Sequence, residues 1–383
     1  MNHRQTPCIL VFTTSYLPLV GGAETALYEI TKRTSGARVV IFTSRMRPDL
    51  PYRENDGLVL VRRFGFGNRL DKWLLPFFVL PAALQEIARH KKAILWGIMI
   101  SQATIGAYFV KLLRPRVPLV VTLQEGDHED YLEGARFGLI DLFWRVILRK
   151  ADGVTAISKY LAKRAAKKGY QKKVEIIPNG VSEQFVSESF ERPRKESFGI
   201  RDGEQVILSV SRLVEKNGID ILIRAVARLQ GEGLSTRLIL AGDGKDKEKL
   251  ERLADTLEIR HSIIFAGHIS YEKTLFYYKL SDVFVRPSRS EGLGSAFLEA
   301  MGAGIPVVAT PVGGIVDFIV DHETGLFAKP NNVEDTARAI REVIENPELK
   351  AALSKNGRDL VIQKYMWVDI AARMEDFLLK QAS

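Results

Sequence analysis

Runs of apolar, often β-branched residues alternate along the chain with stretches whose apolar positions repeat at helical spacing. In the first half the runs are CILVF, ARVVIFT, AILWGIM, PLVVTLQ and GVTAIS; in the second they are QVILSVS, RLILAG, SIIFAG, DVFVRPS and PVVAT. Such runs are continuous rather than alternating, as the strands of a parallel sheet covered by helices on both faces require. Each half therefore predicts a doubly wound α/β domain, and the chain predicts two Rossmann-like parallel-sheet domains.

A length of 383 residues fits that division, because single hydrophobic cores stop growing at about 250–300 residues. The join is read at Pro178-Asn179-Gly180 and the polar stretch that follows, which divides the chain into 1–182, 183–363 and a C-terminal helical segment 364–383 predicted to pack back toward the first domain. The stretch AILWGIMISQATIGAYFV, residues 93–110, carries no charge. Its central Ser101, Gln102 and Thr104 favour a strand Ala93–Met99 followed by a helix Gln102–Leu113 over a membrane span. The single cysteine, Cys8, sits in the first predicted strand and fits a reducing compartment.

Charge is uneven. Residues 1–182 hold 28 Lys and Arg against 15 Asp and Glu, or +13; the remainder holds 27 against 31, or −4, which together give the net +9. In the basic half, RLDKWLLPFFVLPAALQEIARHKK sets Trp73, Leu74, Leu75, Phe77, Phe78 and Leu80 between cations, a mixture suited to an anionic bilayer surface. No nucleic-acid module accompanies the charge, and nucleic acid is not expected as a partner.

The chemistry concentrates in RSEGLGSAFLEAMGAGIPVVAT, Arg289 to Thr310. If DVFVRPS is a strand, the Gly292-Leu293-Gly294 turn follows its carboxyl end and a helix starts near Gly294 or Ser295, where open α/β sheets bind ligands. Glycines let backbone N–H groups approach an anion and the helix N-terminus favours negative charge, so a phosphate is expected there. Glu299, one turn into the helix, is placed to accept hydrogen bonds from vicinal hydroxyls, and Glu291, before the turn, to hold a second polyol. Gly21 and Gly22, after the first strand, form a similar backbone cradle.

These segments resemble the retaining glycosyltransferases of family 4, the group 1 glycosyltransferases with the GT-B fold, over nearly the whole chain. The resemblance rests on SRSEGLGSAFLEAMGAGIPVVATPVGG, VSRLVEKNGIDILIRA, LILAGDGKDKEKL and IIFAGHIS in the second half, and on PLVGGAETAL, VVTLQEGD, ADGVTAISKYL and VEIIPNGV in the first. It implies two domains facing across a cleft and a nucleoside diphosphate sugar as co-substrate. It further implies that Glu299 holds the ribose, Glu291 the donor sugar, Gly292 to Gly294 the phosphate and sugar edge, and Gly242 and Ile269 the nucleotide. Arg212 would neutralise the departing diphosphate.

Two departures from the family pattern stand out. Asn217 occupies the position where the family usually carries lysine, with Lys216 just ahead; Gln124 and Glu125 stand where relatives carry histidine and aspartate, leaving Asp127 and His128 as substitutes, Asp127 the preferred one. There is no D-x-D pair, so no metal bridge to the diphosphate is expected. The resemblance implies transfer of a sugar with retention to a hydroxyl acceptor, a surface polysaccharide, lipid-linked saccharide or glycolipid precursor, at the cytoplasmic face of the cell membrane. An epimerase of the same architecture and a weakly active sugar-nucleotide-binding partner protein remain open alternatives, as does the oligomeric state.

Overall fold

The computed structural model describes residues 6–19, 21–126, 139–187 and 192–382. The chain forms two compact units, one running to Asn179 and resuming at Trp367, the other Gly180–Met366. The crossings lie three residues from the 182/183 and 363/364 divisions read from the sequence.

The first unit is built on an eight-stranded sheet. Its strands are β1 (Cys8–Phe12), β2 (Arg38–Ser44), β3 (Arg53–Asp56), β4 (Val59–Phe64), β5 (Ala93–Ile98), β6 (Leu119–Leu123), β7 (Gly153–Ala156) and β8 (Glu175–Ile176), in the order β3-β4-β2-β1-β5-β6-β7-β8. The apolar runs of β1, β5, β6 and β7 are buried throughout, as a sheet covered on both faces demands. The sheet is parallel except for β3, which pairs antiparallel with β4 at the edge. Every residue of β3 is exposed, so that strand departs from the expected all-parallel pattern and exists through its backbone ladder to β4 rather than through burial.

Helices α1 (Gly22–Thr31), α2 (Asp71–Arg89), α3 (Gln102–Leu113), α4 (Leu139–Lys150) and α5 (Lys159–Lys167) belong to this unit. The uncharged stretch at 93–110 divides between β5 and α3, and no helix among the described residues is long and apolar enough to cross a membrane. The C-terminal helix Trp367–Gln381 buries Trp367, Ile370, Met374 and Leu378 in the same core as Ile30 of α1 and Val11 of β1. Their three- and four-residue spacing makes one apolar stripe, each side chain contributing about 1.5–3 kcal/mol on burial.

The second unit carries a six-stranded sheet in the order β11-β10-β9-β12-β13-β14. These strands are β9 (Gln205–Val210), β10 (Thr236–Ala241), β11 (Ile263–Gly267), β12 (Val283–Arg286), β13 (Val307–Ala309) and β14 (Leu326–Phe327), all paired in parallel. Successive strands run outward from β9 on one side, then restart at β12 on its other side. The junction of β9 and β12 is therefore the topological switch point, where loops from the two strands part and leave a crevice at the carboxyl edge. Helices α6 (Glu183–Val186), α7 (Ile219–Gly231), α8 (Lys247–Thr256), α9 (Tyr271–Leu280), α10 (Ser295–Gly302), α11 (Val333–Glu345) and α12 (Pro347–Lys364) complete the unit.

Candidate active site

The loops leaving the carboxyl ends of β9 to β13 are tied to one another. After β12, the Arg289 N–H donates to the Lys216 carbonyl (2.7 Å) in the loop that follows β9. The Arg289 guanidinium forks onto both carboxylate oxygens of Asp220 in α7, at 2.9 and 2.8 Å. Leu213 N–H donates to the Asp243 carbonyl (2.9 Å) in the loop after β10, and Gly242 N–H to the Gly267 carbonyl (2.7 Å) at the end of β11. Gly242 has φ +144, and a Cβ there would fall 1.8 Å from the Ser211 carbonyl oxygen, so this crossing of two loops admits only glycine. The loop after β13 joins through Gly314 N–H to the Glu291 carbonyl (3.3 Å). Arg212, Lys216, Asn217, Gly242, Glu291, Gly292, Leu293, Gly294 and Glu299 thus share the switch-point edge, and half-buried Ile269 lies two residues past β11.

Helix α10 begins on Gly294, in the left-handed region at φ +96, and no side chain caps it. Its first backbone amides follow the Gly292-Leu293-Gly294 turn, the arrangement that attracts an anion. The two acids of the motif have different surroundings. Glu291 is ion-paired with Arg286, the last residue of β12, whose side chain is 6% exposed. Glu299 accepts a hydrogen bond from the Tyr278 hydroxyl of α9 (2.9 Å). Burial pushes Glu299 up to about 7, against the Tyr278 hydrogen bond and the nearby Arg286 charge, which both pull it down.

The basic segment is arranged less symmetrically. Arg212 is exposed in the loop after β9, and Lys216 is half-buried in the short turn Glu215–Asn217. Asn217 is 4% exposed, and its side-chain amide donates to the Arg212 carbonyl (2.6 Å). The side chain at the family's usual lysine position is thus engaged in bracing the loop that carries Arg212. Arg286 and Tyr278 are absent from the residues selected from sequence. A charged residue ending the otherwise apolar strand VFVR was a signal for the arginine, whereas nothing in FYYKL distinguishes Tyr278.

In the first unit, Gly21 is the extended N-cap of α1 and Gly22 its first residue. The Ser15 hydroxyl donates to the Glu24 carboxylate, and a Cβ on Gly21 would lie 2.6 Å from Glu24 Oε2. The positive end of α1 is therefore already faced by a carboxylate of its own first turn. Glu125, at the carboxyl end of β6, is buried and accepts from Ile100 N–H (2.5 Å) and Gln124 N–H (3.0 Å). Burial raises its pKa while these donors and Arg164 oppose the rise. Asp127 and His128 lie outside the described residues.

Two doubly wound parallel sheets, one with an uncapped glycine turn and two acids at its switch point, define the GT-B architecture of sugar transferases. Among solved structures the chain is similar to sucrose-phosphate synthase from Thermosynechococcus elongatus, with TM-score 0.84 at 21% identity over 98% of this chain and 99% of that one. It is also similar to Anabaena HepE in complex with UDP-glucose, with TM-score 0.80 at 20% identity over 97% and 99%. Residues 190–360 match the family described as glycosyl transferases group 1, and residues 20–185 the one described as glycosyltransferase family 4. The chain belongs to the group 1, family 4 glycosyltransferases.

Three relatives indicate the range of that family. One is a glycosyltransferase of Methanocaldococcus jannaschii, 34% identical over 52% of each chain. Another is a GDP-mannose-dependent alpha-(1-6)-phosphatidylinositol monomannoside mannosyltransferase of Mycolicibacterium smegmatis, 32% identical over 61% of this chain and 64% of that one. The matched stretches therefore span about half to two thirds of the length of these two relatives. An alpha-monoglucosyldiacylglycerol synthase of Acholeplasma laidlawii is 24% identical over 90% of each chain.

Proposed function

We propose that the protein transfers a hexosyl group from a UDP- or GDP-linked sugar to a hydroxyl acceptor, with retention of anomeric configuration and without a metal cofactor. The observation that carries this reading is the convergence, at the switch point of the second sheet, of an uncapped helix start, an exposed arginine and two acids. Glu299 holds the ribose, Glu291 the donor sugar, and the amides after Gly292 the diphosphate. As the bond between the anomeric carbon and the diphosphate oxygen breaks, negative charge grows on that oxygen, and Arg212 with the α10 amides stabilises it. The acceptor oxygen bonds to the same face of the anomeric carbon, and its proton passes to the departing phosphate. That step needs no nucleophile from the chain.

The acceptor is a glycolipid precursor, lipid-linked saccharide or surface polysaccharide, and the protein works at the cytoplasmic face of the membrane as a peripheral enzyme. Support comes from the first unit, where α2 and its approach leave Phe66 (70% exposed), Leu70 (68%), Trp73 (41%) and Phe77 (66%) open to solvent beside Arg69 and Lys72. Leu70, Trp73 and Phe77 repeat at helical spacing on the side of α2 opposite its buried Leu75, Val79 and Ala82. An apolar stripe facing water and flanked by cations suits an anionic lipid surface. The relatives that act on phosphatidylinositol mannoside and make glucosyldiacylglycerol are consistent with such an acceptor.

The test is nucleotide release across a panel of UDP- and GDP-sugars, with and without membrane extract. Release that depends on the extract, with an anomerically retained product, is the expected result. A donor sugar altered without any acceptor marks an epimerase, and donor binding without release at any condition marks a binding protein.

A further inference from the structure

Arg286 ends a buried strand, yet each of its three guanidinium nitrogens donates a hydrogen bond. Nε donates to Ser288 Oγ (3.2 Å), Nη1 to the Val210 carbonyl at the end of β9 (3.2 Å), and Nη2 to Glu291 Oε1. The group stacks on the Phe297 ring of α10 at 4.8 Å, and a Cβ on Gly294 would come within 3.6 Å of Nη2. The guanidinium therefore lies directly beneath the Gly-Leu-Gly turn and joins the two strands that flank the switch point. The Glu291 side chain keeps 15% of its surface, and Oε2 makes none of these bonds.

We infer that Arg286 is a positioning residue for the donor sugar: by binding Glu291 Oε1 it fixes the carboxylate so that Oε2 meets a sugar hydroxyl. This rests on the donor-site reading above and adds a residue to it. The physical need is twofold. A glutamate side chain free to rotate would lose conformational freedom on gripping a hydroxyl, and a planar guanidinium held by three bonds removes that loss beforehand. A carboxylate beside a diphosphate is also repelled by it, and a buried cation on the carboxylate's far side offsets the repulsion. Both effects act on the sugar half of the donor, and titration at about pH 8.5, above the range in which Glu299 ionises, keeps the pull of Arg286 on Glu299 out of the nucleotide half.

The experiment is calorimetric titration with UDP and UDP-glucose, and with GDP and GDP-mannose, of the wild-type protein, Arg286→Met, Glu291→Gln and the double variant. In whichever pair the wild type binds, Arg286→Met shifts the affinity ratio of sugar nucleotide to nucleotide about tenfold or more toward the nucleotide, while nucleotide affinity changes by less than about threefold. Glu291→Gln gives the same shift, and the double variant goes no further than either single one, because the two residues act as one unit. If Arg286→Met does not fold, Arg286→Lys keeps the cation without the fork and produces a smaller shift in the same ratio. Equal weakening of nucleotide and sugar nucleotide, an unchanged ratio, or additive effects overturn the assignment while leaving the donor site in place. A wild-type protein that binds neither pair overturns the donor-site reading and this inference with it.

Discussion

Glu299 shows what a single side chain contributes. It ionises near pH 7 in the folded protein because burial outweighs the pull of Arg286 and Tyr278. Its folded pKa is raised, so the stability associated with its neutral form is present at low pH and fades as pH rises from the ordinary carboxyl range through about 7. In the proposed donor site the ionised form accepts two ribose hydroxyls, so nucleotide affinity is predicted to rise across that same interval. Glu299→Gln removes the dependence and Glu299→Ala removes donor binding; calorimetry between about pH 5.5 and 8.5 reads both. Asn217→Ala is predicted to cost about 1–2 kcal/mol in thermal unfolding, from a buried hydrogen bond to Arg212 O that is left unmade. The placement of the glycine turn and its two acids at the carboxyl end of β12 was legible because the apolar run before them reads as a strand. The orientation of Asn217 and the Arg286–Glu291 pair were not, since both depend on partners supplied by the folded loops.

At the level of elements, the site depends on how α10 begins. Gly294→Ala combines a left-handed φ with a Cβ 2.9 Å from the Phe297 ring, and it is predicted to abolish nucleotide binding in titration while the far-ultraviolet circular dichroism stays near wild type. In the first unit, the buried Asp71 carboxylate accepts backbone N–H groups from Met46 (3.3 Å), Phe66 (2.9 Å), Gly67 (2.8 Å) and Asn68 (3.1 Å). Burial raises its pKa, but the four donors win and hold it below the ordinary range. This loop presents Phe66, whose ring meets Phe78 at 6.2 Å. Asp71→Ala is predicted to increase hydrogen exchange at Phe66, Gly67 and Asn68 while β1 and β5 stay protected. Strands with continuous apolar runs were readable in the sequence; β3, REND, was not, because nothing in its side chains demands a strand and only the neighbouring ladder creates it.

For the molecule as a whole, the excess positive charge of the first half and the apolar stripe on α2 bear on association with lipid. Trp96, Trp144 and Trp367 are each at most 2% exposed, which leaves Trp73 as the tryptophan open to solvent. Brominated phosphatidylglycerol vesicles are therefore predicted to quench Trp73 selectively, phosphatidylcholine vesicles far less, and Trp73→Glu with Phe77→Glu to abolish sedimentation with either without altering nucleotide affinity. Quenching that is equal for both lipids, or absent, argues against an anionic surface.

Diffraction from crystals soaked with UDP or GDP tests the central claim most directly. The account predicts the diphosphate on the amides that follow Gly292, with Arg212 turned toward it and the ribose hydroxyls on Glu299. A nucleotide bound away from the carboxyl edge of β9 and β12, with Glu299 still held only by Tyr278, contradicts it.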